Sequence, residues 1–424
     1  MTTLNELTLT ELVGLRERGD LDPAALLDAC IARIESREHE VQAFEHFDLD
    51  RVREALPDAS SSYYGSGLQG IPFGVKDIMD THDMPTSWGS AIYRGKVALR
   101  DAGCVAALRG CGAVAMGKTV STEFACFNPG KTRNPHNLEH TPGGSSQGSA
   151  AAVADFMLPF ALGTQTAASV VRPAAFCGVV GYKASLGEFD LGGVCSLSPT
   201  LDTLGFFVRD ARDLPIIRQA MFSGAAAPRE RTPLRVGLVR TPHWDDADPA
   251  AREAVERAAR DLSGAGAIVE EVSFGPEDGA LTEAHKTVMA FEIARARLFE
   301  YRHYRDQLSA KMRELVESGL ATPRHSYEQA MTLRREWSRR LDGILEGIDC
   351  LLAPSTPGEA PRGLDATGDP LFSRMWTLMG VPAVHLPTGK GPAGLPVGIQ
   401  LLGRWRHDDA LIDHAVRVQE ILGR

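Results

Sequence analysis

No Cys-x-x-Cys pair occurs in this sequence, and its seven cysteines, at 30, 104, 111, 126, 177, 195 and 350, are scattered and odd in number. That excludes a disulfide framework or a zinc ribbon and fits reduced thiols acting mostly as small core residues. No stretch reaches the roughly 18 apolar residues of a membrane span. Met1-Thr2-Thr3-Leu4-Asn5-Glu6 has no positive region followed by an apolar core, so no secretory signal is expected. Lysine and arginine form no run, and a net charge of −10 argues against a nucleic-acid surface. Internal repeats and low-complexity tracts are absent as well. The expectation is a cytoplasmic protein with neither a nucleic-acid nor a membrane partner.

What is present is an ordinary globular composition, 43% hydrophobic and 24% charged, over 424 residues. The first segment, 1–65, reads as a helical arm. Thr8-x-x-Glu11 is a capping box, and Asp22-Pro23 caps a helix whose Leu27, Cys30, Ile31 and Ile34 form one apolar stripe. That stripe is expected to pack on the body rather than on a second copy. Residues 68–210 are glycine-rich and low in charge, with runs such as Val114-Ala115-Met116 and Phe156-Met157-Leu158 that suit buried strands. Ser223 to Thr232 reads as a surface connection, and Leu234 to Val272 as a strand, helix and strand. A long charged helical stretch covers 282–345, and sheet-like runs return at Cys350 to Pro354 and Leu395 to Leu402. The alternation favours one large α/β domain.

Two islands of small residues dominate the chemistry: Pro142-Gly143-Gly144-Ser145-Ser146-Gln147-Gly148-Ser149 and Gly163-Thr164-Gln165-Thr166-Ala167-Ala168-Ser169. Small residues beside hydroxyls imply backbone held close to a ligand, with bare N–H groups turned toward it. With Lys76, in Gly70-Ile71-Pro72-Phe73-Gly74-Val75-Lys76-Asp77, they supply a nucleophile, a proton relay and a base without any histidine. Lys76 lies between Phe73-Gly74-Val75 and Ile78-Met79, which argues for burial, and burial lowers a lysine's pKa toward the neutral, proton-accepting form.

Three other chemistries carry less weight. Gly112 to Thr119 matches the phosphate-loop pattern letter for letter, but a helix precedes it and its variable residues are strand-like, the reverse of what that loop needs. Gly144-Ser145-Ser146-Gln147-Gly148 fits a nucleophile elbow with Ser146 as nucleophile, yet the loop Asn134 to Pro142 leads into it where a strand is required. His136 and His140 have helical spacing, but Pro135 and Pro142 make them loop histidines. No metal and no cofactor is expected.

Taken together, Gly70 to Asp77, Gly117-Lys118-Thr119, Pro142 to Ser146, Leu162 to Thr166 and Ser169-Val170-Val171-Arg172-Pro173-Ala174 resemble the amidase signature family in order and spacing. The C-terminal Gly380-Val381-Pro382 and Gly394 to Gln400 agree. The chain looks most like compact bacterial malonamidase-like members. The resemblance implies a single α/β/α domain over 1–424, with a mixed central β-sheet covered by helices and a 282–345 helical insertion lining the substrate side. It implies that Ser169 is the nucleophile, Ser145, after a cis peptide bond, the relay, and Lys76 the base. Backbone N–H groups across Thr166, Ala167, Ala168 and Ser169 would form an oxyanion hole, and Arg172, Gln147 and Gln165 would contact substrate. For Arg172 a structural salt bridge is an equal alternative. Ala167-Ala168 stands where the family usually has Gly-Gly, which implies an altered pocket.

The expected function is hydrolysis of a small amide, with a carbamate, anilide or ester as alternative substrate. A silent binding subunit is the alternative of a different class. Aminoacyl-tRNA amidotransferase subunits share the signature, but the acidic balance gives no support for a tRNA partner. Homodimerisation is implied by the resemblance alone.

Overall fold

The computed structural model describes residues 3–56, 67–222, 233–274 and 279–423. Thr8 opens α1 (Leu9–Glu17) with the reciprocal cap predicted: Glu11 N–H donates to Thr8 Oγ1 at 3.2 Å and Thr8 N–H to Glu11 Oε2 at 2.8 Å. Asp22 accepts from Ala24 N–H at the start of α2 (Pro23–Val41), whose Leu27, Cys30, Ile31 and Ile34 stripe is buried in the main core. The stripe packs on the body. The 1–65 segment is not wholly helical, however. β1 (Phe44–Phe47) intervenes before α3 (Leu49–Glu54) and pairs with residues 117–119. Of its four residues only Phe44 is buried, so this edge strand has no alternation long enough to read.

The central part contains β2 (Pro72–Lys76), α4 (Gly103–Gly110), β3 (Val114–Thr119), α5 (Gln147–Ala154) and β4 (Phe160–Gln165). It continues through α6 (Val171–Cys177), β5 (Val180–Lys183), β6 (Thr203–Val208) and α7 (Leu214–Phe222). Next, β7 (Arg235–Leu238), α8 (Pro249–Gly264) and β8 (Ile268–Glu271) make the strand, helix and strand read from sequence, and the two strands pair in parallel. Helices α9 (Gly279–Ala296), α10 (Leu298–His303), α11 (Ala310–Ala321) and α12 (Arg324–Ile344) occupy the charged stretch. The chain closes with β9 (Cys350–Pro354), α13 (Leu371–Met379), β10 (Ala383–Lys390), β11 (Pro396–Leu402) and α14 (Asp408–Leu422).

One eleven-stranded sheet takes all these strands, in the order β1-β3-β2-β4-β6-β5-β10-β11-β9-β7-β8. It is mixed: β2 runs parallel to β3 and β4, whereas β4 and β6 are antiparallel. Every residue of β2, β3, β4, β6, β9 and β11 is buried, as befits strands covered on both faces. The fold is the α/β arrangement with a mixed, helix-covered sheet that the sequence predicts. No helix among the described residues is long and apolar enough to cross a membrane.

Phe156-Met157-Leu158 is not a strand. Met157 and Leu158 donate their N–H groups to Ala152 O, closing the C-terminus of α5, and Phe156 takes a φ of 57°. The sheet resumes at Phe160, after Pro159. The expected connection at 223–232 lies outside the described residues. Where α5 begins it crosses close behind the sheet: a Cβ on Gly148 would sit 2.0 Å from Ala43 O and 2.4 Å from Val120 N. Backbone atoms cannot swing aside, so Gly148→Ala is expected to destabilise the fold by about 3 kcal/mol or more, read as a lowered Tm in thermal melts.

Candidate active site

Lys76 ends β2, and its amine-bearing side chain has no contact with solvent. Its Nζ lies 2.7 Å from Ser145 Oγ and donates to Thr164 Oγ1 at 2.9 Å. Among the described residues no carboxylate lies within ion-pair distance of it. Burial therefore pushes its pKa down to about 7, with Asp202 and Cys195 opposing only in part. Lys118, the phosphate-loop lookalike, is the instructive contrast. It is buried as well, but it sits 3.8 Å from Asp77 and donates to Thr86 Oγ1 at 2.6 Å. Its surroundings are structural, on a strand preceded by helix α4, so the loop needed for phosphate is missing.

Ser145 reaches Lys76 from a tightly packed turn. Gly143 has a φ of +85°, and a Cβ there would lie 2.8 Å from Pro173 Cα, so only glycine fits. The Gly144–Ser145 peptide is cis, as the resemblance implies. Arg172 clamps this turn: Nη2 donates to Gly144 O at 2.7 Å and Nη1 to Gly368 O at 2.5 Å. The salt bridge considered for Arg172 is not formed with any described residue. Burial, with Arg374 nearby, pushes its pKa down to about 9.

Ser169 lies between β4 and α6, and its hydroxyl meets no hydrogen-bond partner among the described residues. With Ser145, Ala167 and Arg172 it lines a small recess of about 10 Å³. No hydrogen bond links the two serine hydroxyls, although both face that recess. The loop behind Ser169 is held by its carbonyls. His285 on α9 lies 2.8 Å from Thr166 O through Nε2, Thr377 on α13 donates to Ala167 O at 2.8 Å, and Arg172 N–H donates to Ala168 O at 2.9 Å. In a planar trans peptide the C=O and N–H point oppositely. Holding these three carbonyls therefore turns the N–H groups of Ala167, Ala168 and Ser169 the other way. Among the described residues, none of the N–H groups from Thr166 to Ser169 finds an acceptor. Neither alanine has a positive φ, so the two methyl groups at 167 and 168 bring no left-handed strain.

Because a carbonyl oxygen can only accept, His285 must carry its proton on Nε2 and take the Arg374 Nη1 hydrogen bond, at 3.0 Å, on Nδ1. Burial and Arg374 push its pKa down to about 3, so it stays neutral. Gln165, expected at the substrate, is instead part of this brace. Its Oε1 accepts from Val170 and Val171 N–H, and its Nε2 donates to Thr377 Oγ1. Gln147 likewise accepts from Gly130 N–H at 2.7 Å. Neither glutamine borders the recess, because both amides are engaged in holding backbone. Ser146 is fully buried and exchanges hydrogen bonds with the Thr164 backbone, leaving no exposed hydroxyl for the nucleophile-elbow alternative. His136 and His140 are loop histidines that bind the Cys177 and Ala360 carbonyls. Cys177 is buried against Pro142 O.

A larger cavity of about 210 Å³ adjoins the recess and shares Ala125, Thr166 and Leu197 with it. The 188–200 segment supplies much of its wall. Ala125 on its wall and the preceding Phe124 both hold positive φ, 60° and 48°; such outliers in non-glycine residues concentrate at functional sites. Thr164, Asp202, His285, Arg374 and Thr377 had no assigned place in the sequence. Thr164 stands inside the second island and is within its reach; His285 and Thr377 come from helices more than 100 positions away in the chain, and no local spacing announces them.

The Amidase family model matches residues 25–412. Across its whole length the chain is 29% identical to the A subunit of glutamyl-tRNA(Gln) amidotransferase from Lachnospira eligens, of which it covers 99%. Among solved structures, a chain from an inhibitor-bound "vestigial protein complex" tied to the origins of an s-triazine catabolic enzyme superposes with a TM-score of 0.89 at 27% identity, over 98% of this chain and 99% of that one. Peptide amidase from Stenotrophomonas maltophilia gives 0.83 at 27% identity, over 98% and 96%.

Proposed function

This chain belongs to the amidase family, and we propose that it hydrolyses the C–N bond of a small neutral amide through an acyl-enzyme on Ser169. The observation that carries this is the Lys76 amine, buried, with no counter-ion among the described residues, and 2.7 Å from Ser145 Oγ. At neutral pH much of that amine is uncharged. It takes the Ser145 hydroxyl proton while Ser145 takes the proton of Ser169, whose χ1 rotation across the shared recess closes the relay. Ser169 Oγ then bonds to the carbonyl carbon, and the oxyanion forms against the outward N–H groups of the 166–169 loop. The C–N bond breaks as the relay returns the proton to the departing amine. Water, deprotonated along the same route, attacks the ester; the carboxylic acid leaves and Ser169 regains its hydrogen.

Carbamates, anilides and esters pass through a similar oxyanion, and a panel of all four bond types ranks them. A second reading, that this amide-cleaving centre works as one component of an assembly, draws on the name of the Lachnospira eligens relative. Labelling with a fluorophosphonate tests the nucleophile. Ser169→Ala is expected to abolish labelling and Ser146→Ala to retain it. Labelling that survives Ser169→Ala would remove Ser169 from the role.

A further inference from the structure

Resting on that reading of the site, we propose that the cavity beside Ser169 receives an uncharged, apolar substituent of the substrate about the size of a benzyl group. Its volume of about 210 Å³ exceeds the ~150 Å³ that admits benzene in an engineered apolar cavity, leaving space for a ring and one or two methylenes. Ile78, Leu191, Val194, Leu197 and Pro199 supply apolar wall. Each polar side chain on that wall already has a hydrogen-bond partner. Thr164 Oγ1 is held by Lys76. Thr166 Oγ1 and Ser196 Oγ donate to Asp202 at 2.6 and 2.9 Å, and the Leu197 and Ser198 N–H groups bond the same carboxylate at 2.8 and 3.0 Å.

An entering carboxylate would meet the Asp202 charge with no cation on the cavity wall to pair it. An entering ammonium would find the Asp202 oxygens already taken by four donors. Burying either charge without a partner is strongly unfavourable. Arg172, the cation bordering the neighbouring recess, has both terminal nitrogens committed to backbone carbonyls. The chemistry of the wall thus turns away from carboxylate-bearing amides and toward neutral aryl or alkyl ones.

The test compares kcat/KM for acetamide, phenylacetamide, 3-phenylpropionamide, N-benzylacetamide, malonamate and succinamate, in the wild-type chain and in Val194→Phe. At least one benzyl-bearing amide is expected to exceed acetamide by about 100-fold or more, since each well-packed methylene is worth roughly 10-fold upward. The acyl-side and amine-side benzyl compounds separate which half of the substrate enters. Val194→Phe should lower the benzyl-bearing substrates at least about 10-fold more than acetamide. Malonamate or succinamate turning over faster than the benzyl amides would overturn the inference, as would equal effects of Val194→Phe on every substrate. Fluorophosphonate labelling of Ser169 runs alongside. Labelling without a size preference sinks the cavity inference alone, whereas no labelling and no turnover sinks the hydrolase reading beneath it.

Discussion

Lys76→Met is expected to lower kcat/KM by about 10⁴-fold, the upper range for loss of a general base, while the folded protein becomes more stable. The two signs together separate catalysis from unfolding. The unfolded chain keeps the lysine proton up to the ordinary pKa of 10.5, and the folded chain sheds it near pH 7. Between those values the unfolded state binds more protons, so this group's destabilising contribution is largest at and below pH 7 and fades as pH rises toward 10.5. An uncharged methionine removes that penalty, and Tm at pH 7 should rise. Parallel loss of activity and of Tm would instead mean that Lys76 is chiefly a structural residue.

His285→Leu and Thr377→Val are each expected to lower kcat by about 100-fold, the effect of losing one oxyanion donor, with KM changing little. Neither side chain touches the reacting atoms. In the proposed mechanism they are positioning residues that act through peptide planes: His285 on the Thr166 carbonyl aims the Ala167 N–H, and Thr377 on the Ala167 carbonyl aims the Ala168 N–H. A purely structural defect would raise KM and lower Tm. His285→Gln retains an N–H donor toward Thr166 O and should recover a substantial part of kcat, as should Thr377→Ser. Steady-state kinetics with thermal melts on the four variants checks this, and the absence of rescue would remove the orienting role.

How much of this was legible in the sequence follows from the range over which each feature is encoded. Thr8, Asp22 and the Leu27–Ile34 stripe act within one or two helical turns, and α1 and α2 form where they predict. The Lys76 and Ser145 side chains stand 69 positions apart, yet both lie in motifs distinctive enough to be paired through family resemblance. Gln147 and Gln165 show the limit. An amide beside a reactive serine reads as a substrate contact, but the part-buried N–H of Gly130 and the buried N–H groups of Val170 and Val171 need acceptors, and these glutamines supply them. Arg172 reads as the partner of a carboxylate, on substrate or on protein, and instead meets two carbonyls. Phe156 to Leu158 has strand composition, but the end of α5 claims its N–H groups first. The bracing of the 166–169 loop by α9 and α13 is wholly tertiary, which is why no motif carries it.

The most direct measurement is the rate of Ser169 phosphonylation by a fluorophosphonate between about pH 5 and 9, in the wild-type chain and in Lys76→Arg. An amine that must be neutral to act predicts a rate that climbs as one proton leaves, with a midpoint near 7, and then levels off. Arginine stays protonated across this interval, so the variant should be slow throughout. A rate independent of pH, or a Lys76→Arg chain that reacts like the wild type, would contradict the assignment of Lys76 as the base.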